Sequence, residues 1–341
     1  MTAPAGSVAS ATIRGPALDA YLGALCLAQE VPAVYCQPTD TRNVAHEVPP
    51  NAWRVLQALG LREAVEAIAF FPLADLTRSQ ASGYLISQRP LREFARDRYG
   101  YAHACVREAE LIEALKPEID RRGIQLASPP TPPDLTVVAD TDPSIGEPSP
   151  WLVRTYVLPR AQDAREHRFL TRWWGDGALA VEVPTAKHRL LTTWSEGDDR
   201  FAEARTDQPP VTTQQLLMPG ALEHLYRGTE VRLGPGAHAD YTALGMSLSL
   251  TLEDGWILSR MLDNYDDHLD TALSEYERFR RARSRRLSRY ATETLRQSLL
   301  SSPAQARWRN LKASLGSRFL PEMHMQRVDW MYGFDCIRGF N

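Results

Sequence analysis

The opening stretch constrains the fold more than any other part of the chain. SVASATI (7–13) reads as a short strand, and PALDAYLGALCLAQE (16–30) carries apolar side chains at helical spacing, with Pro16 suited to a first helical turn. PAVYCQ (32–37) then reads as a second strand. Strand, helix and strand in so short a compass form a βαβ-like unit. Residues 50–69 predict helices broken at Gly60, and 109–123 predict another ending at Gly123. Seven prolines between 129 and 150 require an extended or looped segment around the apolar run LTVVA (135–139). HRFLTRWW, ALAVEVP and HRLLTTW (167–194) alternate and are rich in β-formers, so they predict strands of one sheet. From Ser247 to Leu300 the pattern is almost continuously helical. Strands and helices in this order predict an α/β (α+β) protein whose segments alternate between two domains.

Composition removes several function classes. At 341 residues the chain suits one large or two joined domains, and 43% hydrophobic with 24% charged residues excludes wholesale disorder. Lys and Arg total 39 against 42 Asp and Glu, a net charge of −3, so no nucleic-acid partner is expected. Nothing matches the run of about 18 apolar residues that a membrane span needs. The start, MTAPAGSVASATIRG, lacks a basic region followed by a long apolar one, and the expected location is cytoplasmic. Four scattered cysteines without a CxxC pair, and eight histidines without HxxxH, HxH or HExxH spacing, predict no metal site. GxSxG and Walker A signatures are absent from the sequence.

Five stretches then resemble one family. AHEVPPNAWRVLQALGLREAV (45–65), YGYAHACVREAELIEAL (99–115), VRLGPGAHADYTALGMSLSLTLEDGWILSRML (231–262), LSEYERFRRARSRRL (273–287) and VDWMYGFD (328–335) resemble, in order, motifs of the class A flavoprotein aromatic hydroxylases. This is the salicylate-hydroxylase-like branch, with the p-hydroxybenzoate-hydroxylase fold. The resemblance implies a Rossmann-like FAD/NAD(P)-binding-type domain at 1–70, 91–150 and 226–300. It also implies an interleaved substrate-binding sheet domain at 71–90 and 151–225, and a C-terminal helical tail at 301–341.

The cofactor motifs depart from the family's. Its first turn, G-x-G-x-x-G, uses glycines for a tight turn and for close approach of backbone N–H groups to a diphosphate. The equivalent here is Ile13-Arg14-Gly15-Pro16-Ala17-Leu18, in which Gly15 alone remains and Ile13 and Leu18 are expected to intrude. Cys36 stands where a ribose-binding acid ends the second strand, and Gly234-Pro235 replaces the family's Gly-Asp. The loop that presents backbone to the flavin ring reads Gly245-Met246-Ser247. Between Gly123 and Asp134 an eleven-residue span replaces several strands. These departures lead to the expectation that no cofactor is bound.

Without flavin the oxygen-activating chemistry, which the cofactor carries, is lost. The leading expectation is therefore a redox-neutral isomerase or cyclase acting on a hydrophobic small molecule in a biosynthetic pathway. The alternative is an FAD- and NAD(P)H-dependent aromatic hydroxylase, and the second a non-catalytic partner of an active hydroxylase from the same pathway. His46, Asp240 and Tyr241 bring ionisable groups to positions that the resemblance places beside flavin and substrate, so they are the candidate acid–base residues. Arg107 is a candidate for an anionic substrate group, or pairs with a carboxylate such as Glu108. His103, Trp194 and Met246 complete the candidate substrate-binding set, with strand tryptophans serving either pocket or core. The seven arginines of RFRRARSRRLSR (278–289) predict a solvated helix face.

Overall fold

The computed structural model describes residues 8–340 apart from 143–144, 161–165, 219, 221, 239–241, 267 and 320. The chain opens with β1 (Ser10–Gly15), α1 (Ala17–Leu27) and β2 (Ala33–Pro38), followed by β3 (Ala45–Val48), α2 (Pro50–Ala58) and α3 (Arg62–Glu66). The hairpin β4 (Ala74–Ser79) and β5 (Leu85–Pro90) leads to α4 (Glu93–Tyr99), β6 (Ala104–Arg107) and α5 (Glu108–Arg121). After the proline-rich segment come β7 (Leu135–Val138), β8 (Glu147–Pro159), β9 (Phe169–Trp174), β10 (Leu179–Pro184) and β11 (His188–Ser195). Then follow α6 (Arg200–Glu203), β12 (Thr212–Met218), β13 (Tyr226–Arg227) and β14 (Glu230–Arg232). The helices α7 (Ser247–Asn264), α8 (Leu269–Ser298), α9 (Pro303–Phe319) and α10 (Pro321–Tyr332) close the chain.

The strands form a five-stranded sheet in the order β13-β14-β7-β1-β2, a seven-stranded sheet in the order β12-β8-β11-β10-β9-β4-β5, and the ribbon β3-β6. In the first sheet β1 lies parallel to both β2 and β7, with Ile13 opposite Cys36 and Val137. The connection β1-α1-β2 is thus the βαβ unit read from the opening residues. The second sheet joins two distant segments, because β4 pairs in parallel with β9. Pro148 and Pro150 lie on the part of β8 that pairs with β12 alone, since β11 pairs with 152–159, so no ladder bond to β11 is lost.

Helix α1 is buried along all 11 residues, including its one charged side chain, Asp19. Its packing against α7 is close because both helices present glycine. A Cβ on Gly255 would stand 3.0 Å from the Cys26 sulfur and 3.6 Å from the Gly23 Cα, and one on Gly23 would strike Ile13. Ile13 and Leu18 therefore do not intrude on the first turn. Both are fully buried in the core around α1, where Ile13 fills the space that Gly23 leaves open. Burying each such side chain contributes on the order of 2 kcal/mol.

The arginines of α8 are divided: Arg278, Arg285, Arg286 and Arg289 lie on the solvated face that was expected, whereas Arg280 and Arg283 turn inward. Arg280 is wholly buried on Glu253 and Asp254, and Arg283 is bound to both carboxylate oxygens of Glu253 at 2.6 Å. Arg278 and Arg281 pair with Glu275 and Glu277, and Arg286 lies over the Trp330 ring. Internal carboxylates on α7 account for Arg280 and Arg283 alone.

Candidate active site

The ribbon β3-β6 brings the polar residues of the site together. Its register sets His46 opposite Val106 and Glu47 opposite Cys105, so adjacent residues of β3 send their side chains to different partners. His46 Nε2 lies 2.7 Å from Glu108 Oε2, and Glu108 is the fully buried first residue of α5. Among the described residues the other ring nitrogen of His46 has no protein partner. Glu47 pairs with His103 Nε2 at 2.9 Å and with Arg172 Nη2 at 2.6 Å.

Arg172, from β9, also donates to Asp75 at 3.0 Å and to the Ala243 carbonyl at 2.6 Å. Asp75 receives Arg89 at 2.6 Å, and the Arg89 guanidinium rests over the Tyr332 ring. Two carboxylates and two guanidiniums thus balance inside the protein and tie β3 to the seven-stranded sheet. Burial pushes the Glu47 and Asp75 carboxyls up, but Arg172, with His103 on Glu47 and Arg89 on Asp75, outweighs it and holds both below their ordinary values. Burial raises the Tyr332 hydroxyl to about 12, so it is a neutral donor at neutral pH.

Beside these residues lies a narrow cleft with a free volume of about 20 Å³, room for about one water molecule. Ala45, His46 and Glu47 form one wall, Val181, Val183, Thr192 and Trp194 of β10 and β11 another, and Gly245, Ser247 and Leu248 a third. The third wall is the N-terminus of α7. Met246 provides no side-chain cap there, and among the described residues the N–H groups of Ser247 and Leu248 have no acceptor. Such a terminus offers N–H donors and partial positive charge to an electron-rich ligand. Gly245 has φ +68°, and a Cβ on it would collide with the Glu47 carboxylate. Trp194 is fully buried, and its Nε1–H has no acceptor among the described residues. A buried orphan donor costs about 1–3 kcal/mol, which a ligand acceptor would relieve.

The remaining candidates are distributed differently. His103 lies behind Glu47 rather than on the cleft wall, and Arg107 donates to Asn43 at 2.8 Å instead of to a carboxylate. Met246, between the lining residues Gly245 and Ser247, is itself fully buried in a cluster with Leu250, Leu287 and Tyr332. Asp240 and Tyr241 lie outside the described residues. Glu47, Glu108, Arg172, Asp75 and Arg42 were missed as site residues. No local signal marked Glu47 or Glu108, since β3 and α5 carry other polar side chains and the partners of both acids are far away in the sequence.

The nucleotide end of the fold is built from the other cofactor positions. Gly15 has φ +141° where β1 passes β7, and a Cβ would stand 2.8 Å from the Ala139 carbonyl carbon. Cys36 is buried, and burial lifts its thiol to about 12, so no anion ends β2 there. Gly234, at φ +52°, opens a turn with Pro235, and its N–H is accepted by Asp254 at 2.8 Å. Asp254 also holds His238 at 2.8 Å. Below this turn the α1 N-terminus carries Asp19, which receives Thr251 at 2.5 Å and Arg42 at 2.7 Å.

Comparison with known proteins follows this geometry. No protein-family model matches the chain. It is 22% identical, over 97% of its length and 95% of the relative's, to the 3-amino-4-hydroxybenzoate 2-monooxygenase PtmB3 of Streptomyces platensis. Klebsiella pneumoniae HpxO, in a structure with FAD and uric acid, superposes with TM-score 0.75 at 18% identity, covering 92% of this chain and 95% of that one. A 2-methyl-3-hydroxypyridine-5-carboxylic acid oxygenase superposes with TM-score 0.70 at 17% identity, covering 97% and 98%.

These findings correct the expectation of no cofactor, because solved structures of this fold hold FAD. Isomerase or cyclase activity finds no support in the curated relatives, which are monooxygenases. Tested against an incoming flavin, the residues present divide. The uncapped α7 N-terminus suits the ring, but the cleft beside it must widen to admit one, and at the diphosphate end Asp19 must first give up Arg42. Among the described residues no helix is long and apolar enough to cross a membrane. The chain has the fold of the class A FAD-dependent aromatic monooxygenases.

Proposed function

We propose that the protein is an FAD- and NAD(P)H-dependent aromatic hydroxylase whose small aromatic substrate occupies the cleft between β10-β11 and the α7 N-terminus. The observation that carries this reading is the lining of the cleft, with Trp194 and two valines on one side and, on the other, helix N–H groups that have no acceptor among the described residues. Full-length similarity to an aminohydroxybenzoate monooxygenase supports it. When bound, FAD supplies the oxygen-activating chemistry, which the protein itself lacks.

The chain's own residues would do the rest. The Ser247 and Leu248 N–H groups would hold the flavin ring, and Arg42, once released by Asp19, would hold its diphosphate. Trp194 packs against the substrate and donates Nε1–H to an acceptor on it. His46, kept in place by Glu108, presents its free ring nitrogen to the cleft, where it can take the proton of a phenol and so raise the electron density of the ring to be hydroxylated. Arg172 keeps Glu47 ionised and in place beside Gly245. The five-stranded sheet with its helices serves as cofactor domain and the seven-stranded sheet as substrate domain.

The test is turnover with FAD, NAD(P)H and a panel of aminohydroxybenzoates and related phenols. Substrate-dependent NAD(P)H consumption with a product one oxygen heavier is expected. A product isomeric with its substrate would restore redox-neutral chemistry.

A further inference from the structure

The diphosphate end of the cofactor place is held by the chain itself. Asp19 is the third residue of α1, and its carboxylate is 4% exposed at the positive end of that helix. Oδ1 accepts from Thr251 of α7 at 2.5 Å and Oδ2 from Arg42 at 2.7 Å. Both cofactor turns converge on this carboxylate. The first immediately precedes α1, and a Cβ built on Gly234 of the second would lie 3.5 Å from Asp19 Oδ1. Pro16 supplies no N–H to the turn, and the Ala17 N–H is already taken by the Asp40 carbonyl at 3.1 Å. An internal anion with its own arginine therefore stands where a dinucleotide fold receives the diphosphate.

Arg42 also engages Glu108, through its backbone N–H at 2.6 Å and Nε at 3.2 Å, and Glu108 in turn holds His46. Thr251, Asp19, Arg42, Glu108 and His46 form one unbroken chain from the α1 N-terminus to the cleft.

We propose that Asp19 is an affinity-determining residue that competes with the diphosphate of FAD for Arg42 and for the α1 N-terminus. This rests on the hydroxylase reading only in its choice of ligand, since the competition applies to any nucleoside diphosphate. A diphosphate entering beside Asp19 meets a like charge at short range and must take Arg42 from it. Replacing Asp19 with a neutral residue of the same shape removes the repulsion and leaves the helix end open to the ligand.

Titration of the full chain and Asp19→Asn with FAD, by flavin fluorescence, and with ADP, by calorimetry, decides the matter. Asp19→Asn is expected to bind both ligands at least about tenfold more tightly, a conservative figure for removing one partly screened like charge. Equal or weaker binding by the variant, including no binding by either protein, overturns the proposal. Asp19→Ser takes the place of Asp19→Asn if that variant fails to fold. Tighter ADP binding without hydroxylation would sustain this inference while the functional reading fails, and hydroxylation with unchanged ADP affinity would do the reverse.

Discussion

Glu108 holds His46 through Nε2 at 2.7 Å from a position with no solvent exposure, while Arg42 donates to the same carboxylate. A buried carboxylate on one ring nitrogen fixes the tautomer and leaves the other nitrogen for the ligand. Burial pushes the Glu108 carboxyl up, yet His46 and Arg42 outweigh it and hold it below its ordinary value. His46→Gln is expected to lower kcat about a hundredfold, the low end for loss of a placed acid–base group, with Tm little changed. Glu108→Gln should shift the pH profile of kcat as well as lower it. Steady-state kinetics across pH checks both, and an unmoved profile in Glu108→Gln would remove its positioning role.

Trp194 contributes area and one orphan donor to the cleft. Trp194→Phe keeps most of the area and removes the Nε1–H, so KM should rise about fivefold to tenfold, corresponding to one hydrogen bond of about 1–1.5 kcal/mol. kcat should change less. Kinetics on the hydroxylated substrate separates the two, and an unchanged KM would place Trp194 in the core alone.

Gly245 and Gly83 share φ +68°, but only Gly245 has a neighbour at its Cβ position, the carboxylate of Glu47, whereas Gly83 faces open space. Alanine at Gly83 carries the backbone strain alone, about 1 kcal/mol. Gly245→Ala should cost more than twice that and should also disturb the Glu47–Arg172 pair. Thermal unfolding of the two variants makes the comparison, and equal shifts in Tm would deny the contact.

The buried carboxylates also set a pH limit. Glu47, Glu108 and Glu253 are all held below their ordinary value of 4.5 by cationic partners that outweigh burial. A carboxyl depressed in the folded state stabilises the fold at pH above its unfolded value, and that contribution is lost as pH falls through the folded one. Tm should therefore be steady near neutrality and fall as pH drops below about 4.5. A scan of Tm against pH tests this, and a flat profile down to pH about 3 would contradict it.

Local structure was legible because it depends on neighbours in the sequence. The apolar helix between two short strands, the break at Gly60 and the three alternating segments before Ser195 each appear where periodicity places them. The site was less legible because its pairs are long-range. Glu47 and Arg172 are 125 residues apart, and His46 and Glu108 62 apart, so no local pattern links them. Ile13 and Leu18 were misread for the same reason, since Gly23, not the turn, makes room for Ile13. The cofactor was misread by weighing lost consensus residues alone. The chain as a whole nevertheless superposes on FAD-bearing structures at 17–18% identity.

The most direct test of the account is a single reaction. The protein is saturated with FAD, desalted, and given NADPH, an aminohydroxybenzoate and ¹⁸O-labelled dioxygen, and the product is weighed by mass spectrometry. The account predicts retained flavin absorbance and one labelled oxygen atom in the product. A colourless protein, or a product without label, would contradict it.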